Sequence, residues 1–503
     1  MEVKKVINCE VLVVGGGNAG LVAAIEAKNR GANVLLIEKA PVARRGGNSR
    51  RTGGVWRVAF DDPKKDIVPL FDVASVPVPI DKVDMSPYPK DMFYKDLMQI
   101  SQGLSEKKWA EIMVEKSLAT ITWMHQQGAK FNVGARMQKK GDRYFQAPRD
   151  IVLQSVNLGE GLVEQLYVIA INKGIPVMYE TAAQSLIVNA DGEVCGAFAK
   201  SNEGMVQINA HGVILACGGF EGNPEMRRRY LGEGWDLCKL RGTRYNTGDG
   251  LKMAMDIGAQ SAGHWGGCHA SVVSEDSPMV EAEAVGPTRY AYPYCIMVNT
   301  NGERFINEGE DIVSYTYAKT GREVAKQPGA VAFQIFDAKV KDLLWVEYKN
   351  ALGVESNSLE DLASQCDINV ENFMKTVNQF NNSISEEDKA KPFLAEVRDG
   401  RRTQGLNPDK TNWAQTIDTP PFLAYAIVRG LTFAFGGIKI NEKTQVIDTR
   451  DHPIEGLYAI GEVPGGLFYH NYMAGSGLTK GSITGRIAAE QAVNRSQKIK
   501  RSK

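Results

Sequence analysis

The sequence carries no excess of either charge: 59 Lys and Arg are matched by 59 Asp and Glu over 503 residues. A nucleic-acid-binding role normally needs a basic surplus and is not expected here. No apolar run approaches the ~20 residues needed to cross a bilayer, so no transmembrane segment is expected. The start, Met1-Glu2-Val3-Lys4-Lys5, is charged and leads into no apolar h-region, and Val11–Val14 ends at once in glycines. That pattern predicts no signal peptide and a cytoplasmic protein. The seven cysteines are scattered, with no Cys-x-x-Cys pair, no Cys-x-x-Cys-His haem attachment and no ferredoxin-like run. This excludes a disulfide reductase, and any electron-transfer partner would be a separate protein. His264, Cys268 and His269 cluster without further ligands at metal spacing, so no metal is expected.

Glycine is abundant, at 51 residues, and gathers at a few places. From Cys9 to about Arg57 the pattern reads strand, glycine turn, helix, strand, and residues 61–90 read as a long irregular excursion. Helical periodicity follows at Trp109, Ile112, Met113, Ala119, Trp123 and Met124. Gly161–Lys173 reads as a helix and Ile175–Tyr179 as a strand. Ala183–Val188 and Val194–Ala199 read as a hairpin about the two-residue turn Asp191-Gly192. Gly212–Ala216 reads as a buried strand. Between 276 and 430 the texture shifts toward Tyr, Asn, charge and helix. Glycine-ended strands return at Thr432–Gly437 and Leu457–Gly461, then a helix over Gly477–Asn494 and a solvated basic tail, Lys498–Lys503. One domain interrupted by another explains this order, with residues 1–275 and 431–503 forming the first and 276–430 the second.

The strongest local signal is Gly15-x-Gly17-x-x-Gly20, which follows an apolar strand and opens a helix. Gly15 permits the tight turn, Gly17 lets the backbone approach a pyrophosphate, and Gly20 lets helix and strand pack closely. The helix N-terminus, at Asn18 and Ala19, offers free N–H groups to phosphate. The helix reaches Arg30, Gly31 caps it, and a second strand, Val34–Ile37, ends at Glu38 and Lys39. An acidic residue about 20 positions after the glycines suits the adenosine ribose hydroxyls. Then come Gly46-Gly47-Asn48-Ser49 and Gly53-Gly54, two glycine pairs that let the backbone pass beside a second, bulkier group. An NAD domain has no need of them, so the cofactor expected is FAD. No clear second glycine fingerprint for NAD(P)H is present.

These pieces continue with Leu215-Ala216-Cys217-Gly218-Gly219-Phe220, Thr247-Gly248-Asp249-Gly250, Gly302–Glu308 and Gly456–Glu462. In that order, over most of the chain, the sequence resembles the flavoprotein family of fumarate reductases and succinate dehydrogenases. The resemblance implies an α/β fold in which a Rossmann-like FAD-binding domain is interrupted by a smaller α+β capping domain, with the site between them. It places Asn48 and Ser49 beside the isoalloxazine and pyrophosphate, Ala183 at the adenine through its backbone, and Gly218 and Gly219 near the adenosine. It places Gly461 and Glu462 at the ribityl chain, and Gly477 and Leu478 at the flavin O2 side. Lys39 and Asp249 belong to the same set of cofactor residues. Gly475-Ser476-Gly477 precedes a helical stretch, so N–H groups are available there for the negative charge of a reduced flavin. Family members that tether FAD covalently use a His just before the double glycine. Arg44 and Arg45 stand there, which implies non-covalent FAD.

The family pattern fails at three polar anchors. The fumarate reductase proton-donating Arg falls on Ile312, with no Arg until Arg322. A His that holds a substrate carboxylate falls on Phe433, and a second carboxylate-binding Arg falls on Tyr472. Instead, Gly461–Tyr472 and Asn307–Asp311 with Tyr315–Lys319 resemble the branch that contains the tricarballylate dehydrogenases. A Tyr just before the flavin-facing helix resembles the 3-ketosteroid dehydrogenases. Both groups desaturate a C–C bond next to a carbonyl or carboxylate. The chemistry implied is polarisation of that carbonyl, loss of the alpha proton to a base, and departure of the beta hydrogen as hydride to flavin N5. Tyr472 leads the catalytic candidates, followed by Tyr315, Tyr317, His470 and His269, the last matching a family His. For Tyr315 and Tyr317 ordinary packing is the competing reading, and for His470 a structural role. Arg143, Arg149, Arg289 and Arg304 are the arginines that could pair a substrate carboxylate, although Arg304 also suits the turn at Asn301-Gly302. The partner expected is a small carboxylate or ketone. Two rival readings remain: an enoate reductase fed by a separate electron donor, and a non-catalytic binding protein on the same fold, against which Gly46–Ser49 and Gly475–Leu478 argue.

Overall fold

Val11–Val14, Val34–Ile37 and Gly212–Leu215 are four-residue strands in which every residue is buried. Strands covered on both faces need no polar alternation, which is the texture of a parallel sheet between helices. The computed structural model describes residues 3–134, 137–281, 287–349, 351–395 and 397–502. In it these three strands form the centre of a six-stranded sheet ordered Val177–Met178, Val34–Ile37, Val11–Val14, Gly212–Leu215, Pro453–Ala459, Gln445–Ile447. All neighbours run parallel except the last pair. The return of Pro453–Ala459 beside Gly212–Leu215 brings the C-terminal segment into the first sheet. The final helix, Ser476–Arg501, lies against the first, Asn18–Asn29. Small residues set that approach: a Cβ on Gly485 would stand 2.7 Å from the Ala19 carbonyl oxygen. The helix runs through the expected solvated tail to Arg501, and Lys500 there pairs with Glu10.

A second sheet holds Val3–Asn8, Gly204–Asn209, Val194–Ser201 and Ala182–Val188. The hairpin expected about Asp191-Gly192 is present, but Val188 pairs with Val194, so the connection is longer than two residues. The Asn189 carboxamide oxygen accepts the N–H groups of Asp191 and Glu193 and stabilises the wider turn.

The chain forms two compact units. One contains residues up to Leu237, Gly242–Cys268 and Thr432 onward; the other contains Cys238–Arg241 and His269–Leu431. The second unit combines a sheet with the helices its texture suggested. Val331–Phe336 lies between Ile296–Val298 and the long strand Phe422–Ile438. Phe333, Ile335, Ile296 and Val298 face one cluster, with Leu362, Phe373 and Val377 of the helices Leu359–Gln365 and Val370–Asn382. Ala332, Phe336 and Met297 face another, with Val313 and Val324 of the helix Val313–Ala325. Both faces are buried, which erases the alternation that would have announced these strands.

Within this unit Arg304 forks onto Glu308 at 2.6 and 3.1 Å, with side chains only 5% and 0% exposed. Glu308 also accepts the Met297 N–H at 2.8 Å, and Arg304 reaches the Pro408 carbonyl. Arg304 therefore does anchor the turn near Gly302, but through a buried ion pair. Glu308→Ala leaves a buried guanidinium uncompensated and is expected to cost about 3–5 kcal/mol. Glu115→Ala, which breaks the exposed Lys90–Glu115 pair, is expected to cost at most about 1 kcal/mol. Denaturant melts of the two variants check this, and equal midpoints would refute it.

Candidate active site

The turn after Val11–Val14 is closed by glycines with different duties. Gly15 has φ +108°, and a Cβ there would sit 2.6 Å from the Ala216 carbonyl oxygen; on Gly20 it would sit 2.0 Å from the Gly15 oxygen. Both are needed for the chain to pack on itself. Gly17 differs, since a Cβ there meets nothing closer than 3.5 Å. It is the N-cap of Asn18–Asn29 and offers no side-chain cap, so the first-turn N–H groups stay available to an anion. Of these, the Asn18 N–H donates to the Ser49 hydroxyl at 3.0 Å. The Asn18 carboxamide donates to the Leu478 carbonyl and to Ser482, tying the turn to the start of the last helix.

Glu38 ends the second strand and is buried. Its carboxylate accepts the Gly16 and Ala40 N–H groups, each at 2.8 Å. Burial pushes its carboxyl up, against the pull of those N–H groups and Lys39. The Tyr167 hydroxyl comes so close to Gly16 that a Cβ there would lie 2.0 Å from it, and that hydroxyl is buried without a hydrogen-bond partner. Arg45 stacks on the Tyr167 ring at 4.1 Å and binds Glu164. Lys39 and Asp249 pair with each other at 2.7 Å, so the strand end and the Thr247–Gly250 turn brace one another. Ala183 lies buried on the strand Ala182–Val188, next to an irregularity in its pairing with Val194–Ser201. Gly53 lends its carbonyl to Gln154, and Gly54 packs on the Leu158 backbone.

Gly46 and Gly47, with φ +103° and +57°, lead into the short helix Gly47–Arg50. From it the Asn48 carboxamide donates to Glu221 at 2.6 Å, to the Thr432 carbonyl at 2.9 Å and to Glu462 at 3.4 Å. Its oxygen accepts the Thr243 N–H. Glu462 also accepts the Ala434 N–H, and the Gly461 N–H donates to Thr484. Gly218 takes φ +72° against Asn246, whose carboxamide reaches Glu221 at 2.6 Å. Glu221, Asn246, Tyr167 and Arg45 were not singled out by sequence as cofactor residues. For Glu221 a signal existed: it directly follows Gly218-Gly219-Phe220.

Tyr472 sits at the mouth of the last helix. Its hydroxyl accepts the Gly477 N–H at 2.9 Å, and its ring meets Phe433 and Phe468 edge-on at 5.0 and 5.1 Å. His470 has φ +58°, and its backbone N–H donates to His264 Nδ1, with the two rings 4.9 Å apart. Both belong to the first unit. In the second unit Tyr315 is buried, while Tyr317 is half-buried, 4.8 Å from the His269 ring and 5.3 Å from the Tyr290 ring. Burial first, and Arg241 second, hold His269 well below the usual histidine range, so it is neutral. Among the arginines considered for a substrate carboxylate, Arg143 already binds Asp84, Arg149 binds Asp96 and Arg304 binds Glu308. Arg289 donates to the carbonyls of Thr288 and Glu347.

A strand, glycine turn and helix with an acid on the next strand define a dinucleotide-binding fold. The residues fit FAD: Gly17, Gly47 and Gly53 leave the backbone bare, and the hydroxyls of Tyr167 and Ser476 are buried without partners among the described residues. The FAD binding domain family matches residues 10–478, and the chain belongs to that family. It is 30% identical over 490 residues to the "Probable fumarate reductase Ifc3" of Shewanella frigidimarina, covering 96% of this chain and 74% of that protein. The structure of the open conformation of a flavocytochrome c3 fumarate reductase superposes with TM-score 0.70 at 26% identity, over 97% of this chain and 79% of the other. The 3-ketosteroid delta1-dehydrogenase of Sterolibacterium denitrificans shares the fold with TM-score 0.74 at 21% identity, over 97% and 99%. The chain is an FAD-dependent oxidoreductase acting on CH–CH groups. Among the described residues no helix is long and apolar enough to cross a membrane.

Proposed function

We propose that the protein is a dehydrogenase that desaturates a C–C bond next to a carbonyl or carboxylate, acting on a tricarballylate-type acid or a cyclic ketone. The observation that carries this is the setting of Tyr472. Its phenol oxygen accepts the Gly477 N–H at a helix N-terminus, which strengthens the O–H as a donor. A donor so held is suited to a substrate carbonyl, where charge grows as the alpha proton leaves. The aromatic walls of Phe433 and Phe468 exclude water around it. FAD, when bound, takes up or returns the hydride of the C–H bond. Its adenosine end would be held by Glu38, Ala183 and Gly218, its pyrophosphate by Gly17, Asn18 and Ser49, and its ribityl and ring end by Asn48, Glu462, Gly477 and Leu478.

Several curated relatives are named as reductases, which supports a second reading, an enoate reductase fed by a separate electron donor. An anaerobic titration separates the two. Saturated carboxylates or cyclic ketones are expected to bleach the flavin absorbance of the oxidised protein. No bleaching by either class, with reoxidation of the pre-reduced protein by an unsaturated acid, would overturn the dehydrogenase reading.

A further inference from the structure

Glu221 and Glu462 are brought head to head inside the cofactor domain. Both Glu221 Oε2 and Glu462 Oε1 lie within 2.6 Å of the point where a Cβ on Gly219 would stand. The glycine is what lets them meet. Glu221 is fully buried; its Oε1 accepts from Asn48 and Asn246, both at 2.6 Å, but among the described residues its Oε2 receives no N–H or hydroxyl hydrogen. The Glu462 oxygens are supplied by the Ala434 N–H at 3.1 Å and, more distantly, by Asn48 at 3.4 Å. The charged group facing the pair is Lys480, whose Nζ is committed to the Pro464 carbonyl at 2.6 Å. Burial brings its ammonium down to about 8. Two facing carboxylates with so few donors cannot both stay ionised in a water-poor site.

We propose that Glu221 and Glu462 share one proton, in a single O–H···O bond between Glu221 Oε2 and Glu462 Oε1. Glu221 is then a positioning residue of the FAD cradle. It fixes the Asn48 carboxamide on one oxygen and, through the shared proton, keeps Glu462 in place with one negative charge on the pair instead of two. The donor-poor Oε2 carries the proposal, and desolvation of the fully buried Glu221 and the partly buried Glu462, which pushes each carboxyl up, agrees with it. A consequence is linkage to the cofactor. An anionic, water-excluding FAD raises the pair's hold on its proton, so between the proton affinities of the empty and loaded protein, FAD binding takes up one proton. In that window affinity falls as pH rises, by up to about tenfold per pH unit for one proton.

The test uses infrared spectroscopy of the FAD-loaded protein, together with FAD dissociation measured across pH by the fluorescence of released flavin. Glu221→Gln keeps an oxygen for Asn48 and Asn246 and supplies an N–H to Glu462, imitating the protonated state; Glu462→Gln does the same from the other side. The wild type is expected to show a protonated-carboxyl C=O band at pH 7 that is lost in both variants. Its FAD affinity should fall as pH rises toward the point where the band disappears and level off above it, while that of Glu221→Gln changes less than about twofold over the same range. A wild type without the band, a band that survives in both variants, or a wild-type affinity that stays flat up to the pH of its disappearance would overturn the proposal. If a variant fails to fold, the wild-type band and its relation to FAD release still decide.

Discussion

Tyr472→Phe is expected to lower turnover by about 10²–10³-fold while the protein keeps its FAD and its melting temperature. The substitution removes one oxygen and leaves the ring in place between Phe433 and Phe468, so the aromatic packing is preserved. The Gly477 N–H loses its acceptor, but it stands among the first-turn N–H groups of a helix, where a phosphate, carbonyl or water can take its place. What the proposed mechanism loses is the phenol O–H offered to the substrate carbonyl. Steady-state rates with the substrate identified by titration check the expectation, with flavin occupancy measured on the same sample. Wild-type turnover in this variant would remove Tyr472 from the mechanism. Loss of FAD together with activity would make it a structural residue.

The other large effect divides two glycines of one motif. Gly20→Ala places a methyl 2.0 Å from a backbone oxygen and 3.2 Å from the Ala216 Cβ, and neither neighbour is a flexible side chain. Helix and strand must part, with an overpacking cost of about 1–3 kcal/mol or more at the centre of the main sheet. Gly17→Ala meets only the Gly46 carbonyl and the Ser49 hydroxyl, both at 3.5 Å, which is ordinary contact. Gly20→Ala is therefore expected to melt earlier even as apoprotein and to purify with little flavin. Gly17→Ala is expected to melt like the wild-type apoprotein yet to bind FAD at least about tenfold more weakly, because only a pyrophosphate approaches its Cβ. Apoprotein melting curves and FAD titrations of both variants separate these outcomes. Full FAD affinity in Gly17→Ala would refute the placing of the pyrophosphate at Gly17.

Much of the cofactor domain was legible because its signals are local. A buried strand, a glycine turn and a helix lie within a few residues, and Gly15 and Gly20 are needed for steric reasons that hold in any sequence context. Glu38 could be placed for the same reason, since the end of the next strand fixes it beside the turn. The second unit was less legible. Val331–Phe336 and Phe422–Ile438 are buried on both faces and carry no alternating pattern. The unit boundaries Cys268/His269 and Leu431/Thr432 also fall inside the strands Ser261–Ser274 and Phe422–Ile438, where no loop composition marks them.

Charge was the property that sequence could rank least well. Arg143 and Arg149 looked open to a substrate, and each turned out to hold a carboxylate of its own chain, as does Arg304. Lys39 and Asp249, two residues assigned to the cofactor, are bound to each other. The sequence by itself determined the cofactor class, a property of short motifs whose backbone geometry is set by their own residues. Only the tertiary structure decided that Glu221 meets Glu462 and that Tyr472 rests on Gly477. Such meetings depend on how distant segments pack, and burial then fixes which polar groups must share a proton or a charge.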